Sequence, residues 1–436
     1  MLAGIGMLPG GLIWMALVFD DITSHGSDGL YFGMVWLSLW VICLGGGWAL
    51  FYNANRSLNG KVSPRLRLPP FWMLAWGLLV VLVLGETLRR TAVASLFFPP
   101  VFLIAGALPP LAVLAWTMHG ANGELTWRRF SVAFILGATV SVGLAIALEI
   151  LLSAVFLALV EGLFELARGT WQELVEALAG GEAARALSSY GYIFAMLELA
   201  LIAPLAEEFA KPLITIPLLK NAGSPRGAFW VGAAAGAGFA ALENLLYTGF
   251  GVQLWGGVFV LRAVGAAIHP LCSGLVALGW YLSLKGSGDQ VSVTQGEFGS
   301  GGPNPNAQPL RWASLFGAAV GIHALWNGGS VTLATLVGAQ FFGENPPEVK
   351  VLGLTIVGVL LALLAALGAA AWVGMRAFAQ NLPGEGTAEP EGTTPSHPLP
   401  PMFLASDRAI AIWAAICLIV ALPLGLAALV LLRGTP

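Results

Sequence analysis

Long apolar runs separated by short polar segments extend along almost the whole chain. A membrane-spanning helix needs roughly 20 consecutive apolar residues. About eleven stretches approach or exceed this length: 2–19, 30–52, 71–86, 93–118, 131–160, 191–220, 228–250, 256–284, 312–342, 350–376 and 408–433. The pattern predicts an all-α fold, a polytopic transmembrane helix bundle with about eleven spans.

The composition also indicates a membrane protein. Of the 436 residues, 57% are hydrophobic and 10% are charged, whereas soluble domains carry about a quarter charged residues. So much apolar surface requires lipid as its solvent, which excludes an ordinary soluble domain. The formal net charge is −3 and no basic patch is visible, so nucleic acid is not an expected partner.

The charges of the loops predict the orientation of the chain. Segment 53–70 carries four basic residues and no acid, whereas segment 20–29 carries three aspartates. The positive-inside rule therefore places segment 53–70 in the cytoplasm, together with the N-terminus. We expect a multi-pass protein of the cell membrane whose N-terminus is cytoplasmic.

Strongly polar side chains inside the predicted spans gather in four consecutive helices. An ionisable group at the bilayer centre costs about 2.5–3.5 kcal/mol, so such residues are functional candidates. The four helices, the sixth to the ninth predicted, carry Glu207, Glu208, Lys211, Glu243, Asn244, Arg262, His269, His323 and Asn327.

The sixth predicted helix combines two adjacent glutamates with a lysine. Lys211 follows Glu207 by four residues and Glu208 by three, so its ammonium can reach either carboxylate. One carboxylate can then be neutralised while the other acts as general base or acid. A charge cluster that only holds helices together is the alternative interpretation.

The seventh predicted helix begins with small residues and then presents two polar ones. The segment Gly232-Ala233-Ala234-Ala235-Gly236 allows another backbone to approach closely. Glu243 and Asn244 point about 100° apart, so both can face a cavity only if neighbours surround that side. A structural pair of hydrogen-bonded side chains is the alternative.

Two histidines lie in the next two helices. His269 precedes a proline, so it lies where the helix must distort. His323 and Asn327 are one turn apart, and together they could donate hydrogen bonds to a developing oxyanion. The imidazole could instead bind a metal. A packing role is the alternative for either histidine.

Arg262 needs a partner at its predicted depth unless its side chain extends to the headgroups. Glu198 in the sixth predicted helix lies at a matching depth, and Glu149 is the other well-placed acid. We expect Arg262 to pair with Glu198, or failing that with Glu149, as a structural bridge.

Taken together, these residues resemble the PrsW family of intramembrane proteases, within the wider group that includes CAAX-prenyl and bacteriocin-immunity membrane proteases. The resemblance covers about residues 190–340. Its motifs follow the family order on successive helices: Glu207-Glu208-xx-Lys211, Phe239-xxx-Glu243-Asn244, an isolated His269, and His323-xxx-Asn327. It implies that these residues form the catalytic site. It also implies cleavage of membrane-anchored proteins, with anti-sigma factors as the known type of substrate.

The chain then divides into four parts. Residues 1–160 form N-terminal transmembrane helices of unknown role, and residues 191–342 form the catalytic transmembrane core. Segment 161–190 has apolar residues at helical spacing between glutamates, which predicts an outer amphipathic helix or a solvated connector. Residues 343–436 form C-terminal transmembrane helices, with a flexible loop at 380–407.

We expect an intramembrane endopeptidase in which Glu207 or Glu208 activates water. His269 would assist proton transfer, and His323 with Asn327 would stabilise the oxyanion. No cofactor is required on this interpretation, although a divalent metal such as Zn, bound by Glu and His, could activate water at the same residues. Two other functions stay open: an ion- or proton-coupled transporter that uses the buried carboxylates, and a catalytically silent membrane scaffold.

Overall fold

The computed structural model describes residues 26–90, 97–119, 125–156, 172–173, 186–187, 189–219, 222–285, 307–342 and 347–384. These residues are predominantly helical. In chain order the helices are α1 Gly26–Leu58, α2 Phe71–Leu88, α3 Phe98–Met118, α4 Trp127–Phe156, α5 Tyr190–Leu197, α6 Ala203–Leu213, α7 Ile216–Leu219, α8 Pro225–Phe250, α9 Trp255–Val264, α10 Ile268–Lys285, α11 Ala307–Phe342 and α12 Pro347–Asn381.

Seven helical segments in the described part of the chain are long and apolar enough to cross a membrane. They lie in α1, α2, α3, α4, α8, the continuous stretch of α9 and α10, and α12. The predicted all-α membrane bundle is thereby confirmed. The count of eleven spans, the cell membrane and the cytoplasmic N-terminus stay predictions.

Some predicted segments lie outside the described residues. They include the first and last predicted spans, 2–19 and 408–433, and nearly all of the amphipathic segment 161–190 and of the loop 380–407. The remaining predicted helices each coincide with described helical segments.

Three helices that the sequence predicts as continuous contain irregular turns, and one of them is the predicted helix 131–160, with a π-helical turn at Gly137–Ser141. The predicted helix 191–220 contains a π-helical turn at Glu198–Ile202, and the predicted helix 256–284 contains a 3₁₀ segment at Gly265–Ala267. In such turns the backbone hydrogen bonds span one residue more or one residue fewer than in an α-helix. The predominantly apolar run of the sequence continues through each turn, so its pattern looks the same. Apolar periodicity therefore cannot detect them.

Helix α8 lies at the centre of the bundle, since 89% of its span is buried. On one side it packs against α10 so closely that two of its glycines touch that helix. A Cβ at Gly232 would collide with the carbonyl oxygen of Ser273, and one at Gly236 with that of His269. The predicted close approach of another backbone to this small-residue surface is confirmed.

Helix α4 approaches α8 on another side in the same way. A Cβ at Gly238 would collide with the carbonyl oxygen of Phe134, and one at Gly137 with that of Ala235. Gly137 begins a π-helical turn of α4, Gly137–Ser141. Because α8 carries polar site residues, these glycine contacts determine how close the neighbouring helices come to the site.

We predict that Gly238→Ala destabilises the protein. The added methyl group overpacks the contact with α4, which typically costs about 1–3 kcal/mol. Gly321→Ala is the matched control, because a Cβ at Gly321 meets nothing within 4 Å and alanine favours a helix over glycine by about 1 kcal/mol. Thermal unfolding in detergent measures both variants, and equal unfolding temperatures for the two would contradict the close packing.

Candidate functional site

Polar side chains from four helices converge inside the bundle. Helix α6 supplies Glu207, Glu208 and Lys211, α8 supplies Glu243 and Asn244, α10 supplies His269, and α11 supplies His323 and Asn327. All of these except Glu243 are buried. The structure thus places the eight residues predicted from the sequence on neighbouring helices. Asn244 forms hydrogen bonds to Arg262 and to the backbone of Gly106, and Asn327 forms one to the backbone of Leu199.

The ammonium group of Lys211 lies at the centre of this cluster. Its Nζ is 2.7 Å from Glu207 Oε2, 2.8 Å from Glu208 Oε1 and 2.8 Å from His269 Nδ1. The aromatic ring of Phe239 packs against the same ammonium, 4.1 Å from its centroid. Since an ammonium has three N–H donors, the three acceptors account for all of them.

The His323 imidazole contacts both glutamates of α6. Its Nδ1 lies 2.9 Å from Glu208 Oε1. A carboxylate only accepts hydrogen bonds, so Nδ1 carries the proton that is donated. The other nitrogen, Nε2, is 3.8 Å from Glu207 Oε2 and has no hydrogen-bond partner among the described residues.

The His269 imidazole is oriented by a carboxylate and an ammonium. Its Nε2 is 2.7 Å from Glu243 Oε2, while its Nδ1 accepts from Lys211 and lies 3.8 Å from Glu207 Oε2. An ammonium only donates, so Nε2 carries the proton of this ring. Both histidines therefore direct their other ring nitrogen towards Glu207.

The two glutamates of α6 differ in their surroundings. The side chain of Glu208 is fully buried, whereas 8% of the Glu207 side chain is exposed. One oxygen of Glu208 accepts hydrogen bonds from both Lys211 and His323. Glu208 is thus fixed by its neighbours, whereas Glu207 keeps a small exposed fraction although its Oε2 is itself buried.

Asn327 contacts the irregular turn that precedes α6. Its Nδ2 donates to the carbonyl oxygen of Leu199 at 2.9 Å, within the π-helical turn Glu198–Ile202. This bond links α11 to the π-helical turn that precedes α6, the helix that carries Glu207. It also engages one of the two N–H groups of the carboxamide, which leaves one for any other acceptor.

The expected partner of Arg262 was wrong. Its Nη2 lies 2.7 Å from Glu243 Oε2 and its Nε donates to Asn244 Oδ1 at 2.6 Å, whereas Glu198 accepts from the Ser153 hydroxyl. The prediction chooses a partner for Arg262 by its depth in the membrane. It therefore compares α9 with the helix that carries Glu198 and not with α8. Helices α8 and α9 are consecutive and joined by a short turn, so residues at similar distances from that turn, such as Glu243 and Arg262, come together. That spacing is a signal the sequence analysis missed.

Four residues have the donor types and spacing of a metal site. Glu207, Glu208, His269 and His323 each offer one ligand atom, and these atoms lie within 4.8 Å of one another. Carboxylate oxygens and imidazole nitrogens are common Zn ligands at about 2.0–2.2 Å. The Lys211 ammonium, however, lies between three of these residues at hydrogen-bonding distance. The donor types fit a divalent ion, and the ammonium of Lys211 lies among the same donors.

The fold and the site define a class of protein: a helical membrane protein with a buried cluster of carboxylates, imidazoles and one ammonium. The model of the PrsW family intramembrane metalloproteases matches residues 126–366, more than half of the chain. The chain belongs to this family and is an intramembrane protease, so the resemblance is confirmed. Searches of curated proteins and of solved structures found no match.

The matched region is wider than the residues 190–340 that carry the motifs. It also includes α4 and part of α12. Both helices pack on the elements that carry the site, since α4 contacts the glycines of α8, and Leu364 of α12 packs against Gly329 of α11. The family region therefore includes the helices that support the site as well as those that carry it.

We predict that Lys211→Met converts the cluster into a zinc site. Without metal the variant leaves buried carboxylates unpaired, which typically costs about 3–5 kcal/mol. Zinc at a hundredfold excess over its dissociation constant would restore about 2.7 kcal/mol. Thermal unfolding with and without zinc checks this, with the exposed-lysine variant Lys61→Met as control. Equal stabilisation of wild type and Lys211→Met by zinc would show that the ammonium does not occupy the ion's position.

Proposed function

We propose that the protein is an intramembrane endopeptidase in which Glu207 activates the attacking water. The position of Glu207 Oε2 carries this proposal. This oxygen is 3.8 Å from His269 Nδ1 and 3.8 Å from His323 Nε2, so one water hydrogen-bonded to Glu207 can also contact an imidazole. Glu207 is also the more accessible of the two adjacent carboxylates.

The proposed reaction needs one proton acceptor and one proton donor, and Glu207 supplies both. The water gives a proton to Glu207 as its oxygen bonds to the carbonyl carbon of the substrate, and the carbonyl oxygen takes the negative charge. When the intermediate collapses, the carbon–nitrogen bond breaks and Glu207 returns the proton to the leaving nitrogen. The proton that the water loses is thereby returned to the leaving nitrogen, and Glu207 ends the reaction in its starting form.

The neighbouring residues hold this arrangement in place. Glu208 orients His323, and Glu243 with Asn244 supports His269 from the opposite side. His269 remains the candidate for assisting proton transfer. His323 and the remaining N–H of Asn327 are the candidates for stabilising the oxyanion; in this role His323 takes a proton from solvent before the water attacks and keeps it throughout the reaction.

We further propose that catalysis proceeds without a resident divalent ion. A bound ion would make water more acidic and would polarise the substrate carbonyl. Here Lys211 supplies the positive charge between Glu207, Glu208 and His269. The metal that the family description names would have to displace this buried ammonium.

Intramembrane proteases act on membrane proteins in the bilayer, so a membrane-anchored protein is the substrate class. An anti-sigma-factor-like substrate stays a prediction from the resemblance. The transporter and scaffold alternatives lose their support, because the family consists of proteases.

We predict that Glu207→Gln reduces proteolysis by at least a factor of about 10², the lower range for loss of a general base. Co-expression with single-pass membrane proteins tagged at both ends measures the cleavage. Glu86→Gln is the matched control, because it removes a carboxylate from an ion pair with Arg89 on α2 instead. Full activity in both Glu207→Gln and Glu208→Gln would refute the mechanism.

We predict that proteolysis by the purified protein persists after exhaustive chelation. Elemental analysis should find no stoichiometric zinc in the active wild-type protein, since Lys211 provides the cation of the cluster. Loss of activity on chelation, with recovery on addition of zinc, would establish the metal-dependent mechanism in its place.

A further inference from the structure

Arg262 contacts three side chains of the site without belonging to any of the motifs. Its guanidinium is 10% exposed and lies 2.7 Å from Glu243 Oε2 through Nη2. Its Nε donates to Asn244 Oδ1 at 2.6 Å, and its Nη2 lies 3.4 Å from His269 Nε2. The ring of Tyr247 packs against the guanidinium at 4.8 Å. Residues of α8 therefore enclose Arg262.

One oxygen of Glu243 is shared between Arg262 and His269. Glu243 Oε2 is 2.7 Å from the arginine Nη2 and 2.7 Å from the histidine Nε2. Arginine only donates hydrogen bonds, and Nε2 of His269 carries a proton, so these two nitrogens cannot bond to each other. Both N–H groups converge on the same carboxylate oxygen. That oxygen therefore accepts the Nε2–H of His269 and orients the ring, while Lys211 on Nδ1 fixes which nitrogen carries the proton.

The other end of this arrangement is anchored to a third helix. Asn244, which accepts from Arg262, donates through Nδ2 to the carbonyl oxygen of Gly106 on α3 at 3.3 Å. A Cβ at Gly106 would collide with the carbonyl oxygen of Ala241 on α8, so the two helices are in backbone contact there. Arg262 is thus held by a rigid pair of helices and is not an isolated surface cation.

We propose that Arg262 is a positioning residue that acts on His269 through Glu243. It fixes the Glu243 carboxylate, which accepts the proton of Nε2 and so directs the unprotonated Nδ1 of His269 towards Lys211 and Glu207. Without Arg262 the carboxylate is free to rotate, so the hydrogen bond from Nε2–H to Glu243 weakens and the ring loses its fixed orientation, while Lys211 still occupies Nδ1. The consequence for cleavage rests on the proposed function, whereas the state of the ring does not.

Nitrogen NMR of the full-length protein tests this proposal without requiring a substrate. The protein is labelled with ¹⁵N at the histidine rings and placed in lipid nanodiscs, and the His269 signals are identified from their loss in His269→Gln. We expect one sharp Nε2–H signal of His269 with the shift of a strong hydrogen bond in the wild type, and a shifted or exchange-broadened Nε2–H signal, from a weakened hydrogen bond, in Arg262→Gln. Arg226→Gln is the matched control, because Arg226 also joins two helices but does so through the carbonyl oxygens of Leu382 and Gln380.

Cleavage kinetics provide the second measurement. We expect Arg262→Gln to lower kcat about 10²-fold with little change in KM, the effect of a misplaced group on a bound substrate. Where Arg262→Gln does not fold, Arg262→Lys carries the same measurements, since it keeps the charge but loses the fork that reaches Glu243 and Asn244 together. A smaller change in the same direction is then expected.

An unchanged His269 ring in the Arg262 variants would overturn the proposal, whether or not activity is lost. Loss of thermal stability alone, equal to that of Arg226→Gln, would identify a structural bridge and would also overturn it. If the wild type cleaves no substrate, the proposed function is refuted. A change of the His269 ring signals in Arg262→Gln would still support the positioning role in that case.

Discussion

The burial of one ammonium group determines the arrangement of the core. Lys211 is fully buried among apolar helices, where an unpaired charge would cost several kcal/mol. Its three donors are satisfied by two carboxylates of its own helix and by His269 of α10. Because the third acceptor comes from another helix, the charge is stable only when α6 and α10 are packed together. Formation of the site and packing of the bundle are therefore coupled.

The close approach of helix backbones makes this packing possible. Gly236 of α8 lies against the carbonyl oxygen of His269, the same residue whose ring accepts from Lys211. Gly238 lies against α4 on another side. Any larger residue at either glycine would push apart helices whose polar side chains interact over less than 3 Å. The small residues of α8 thus contribute to the geometry of the site although they carry no chemistry.

The two histidines share one design. Each donates one ring N–H to a glutamate, His323 to Glu208 and His269 to Glu243, and each directs its other nitrogen towards Glu207. This carboxylate–histidine pairing fixes ring orientation, as it does around many metal ions. In this protein the cation among these groups is an ammonium. The site consequently has a fixed charge arrangement of its own around Glu207.

The sequence by itself determined the membrane class, the approximate positions of the described helices and the reach of Lys211 to the two glutamates of its own helix. Those features follow from local composition and spacing, because lipid demands long apolar runs and makes embedded charges such as Glu207 and Lys211 conspicuous. Only the tertiary structure decided which charges pair between helices. Arg262 joins Glu243 and not Glu198, the π-helical and 3₁₀ turns change the register within three helices, and Lys211 occupies the space between the potential metal ligands. These outcomes depend on distances between helices, which the apolar pattern of a single chain does not specify.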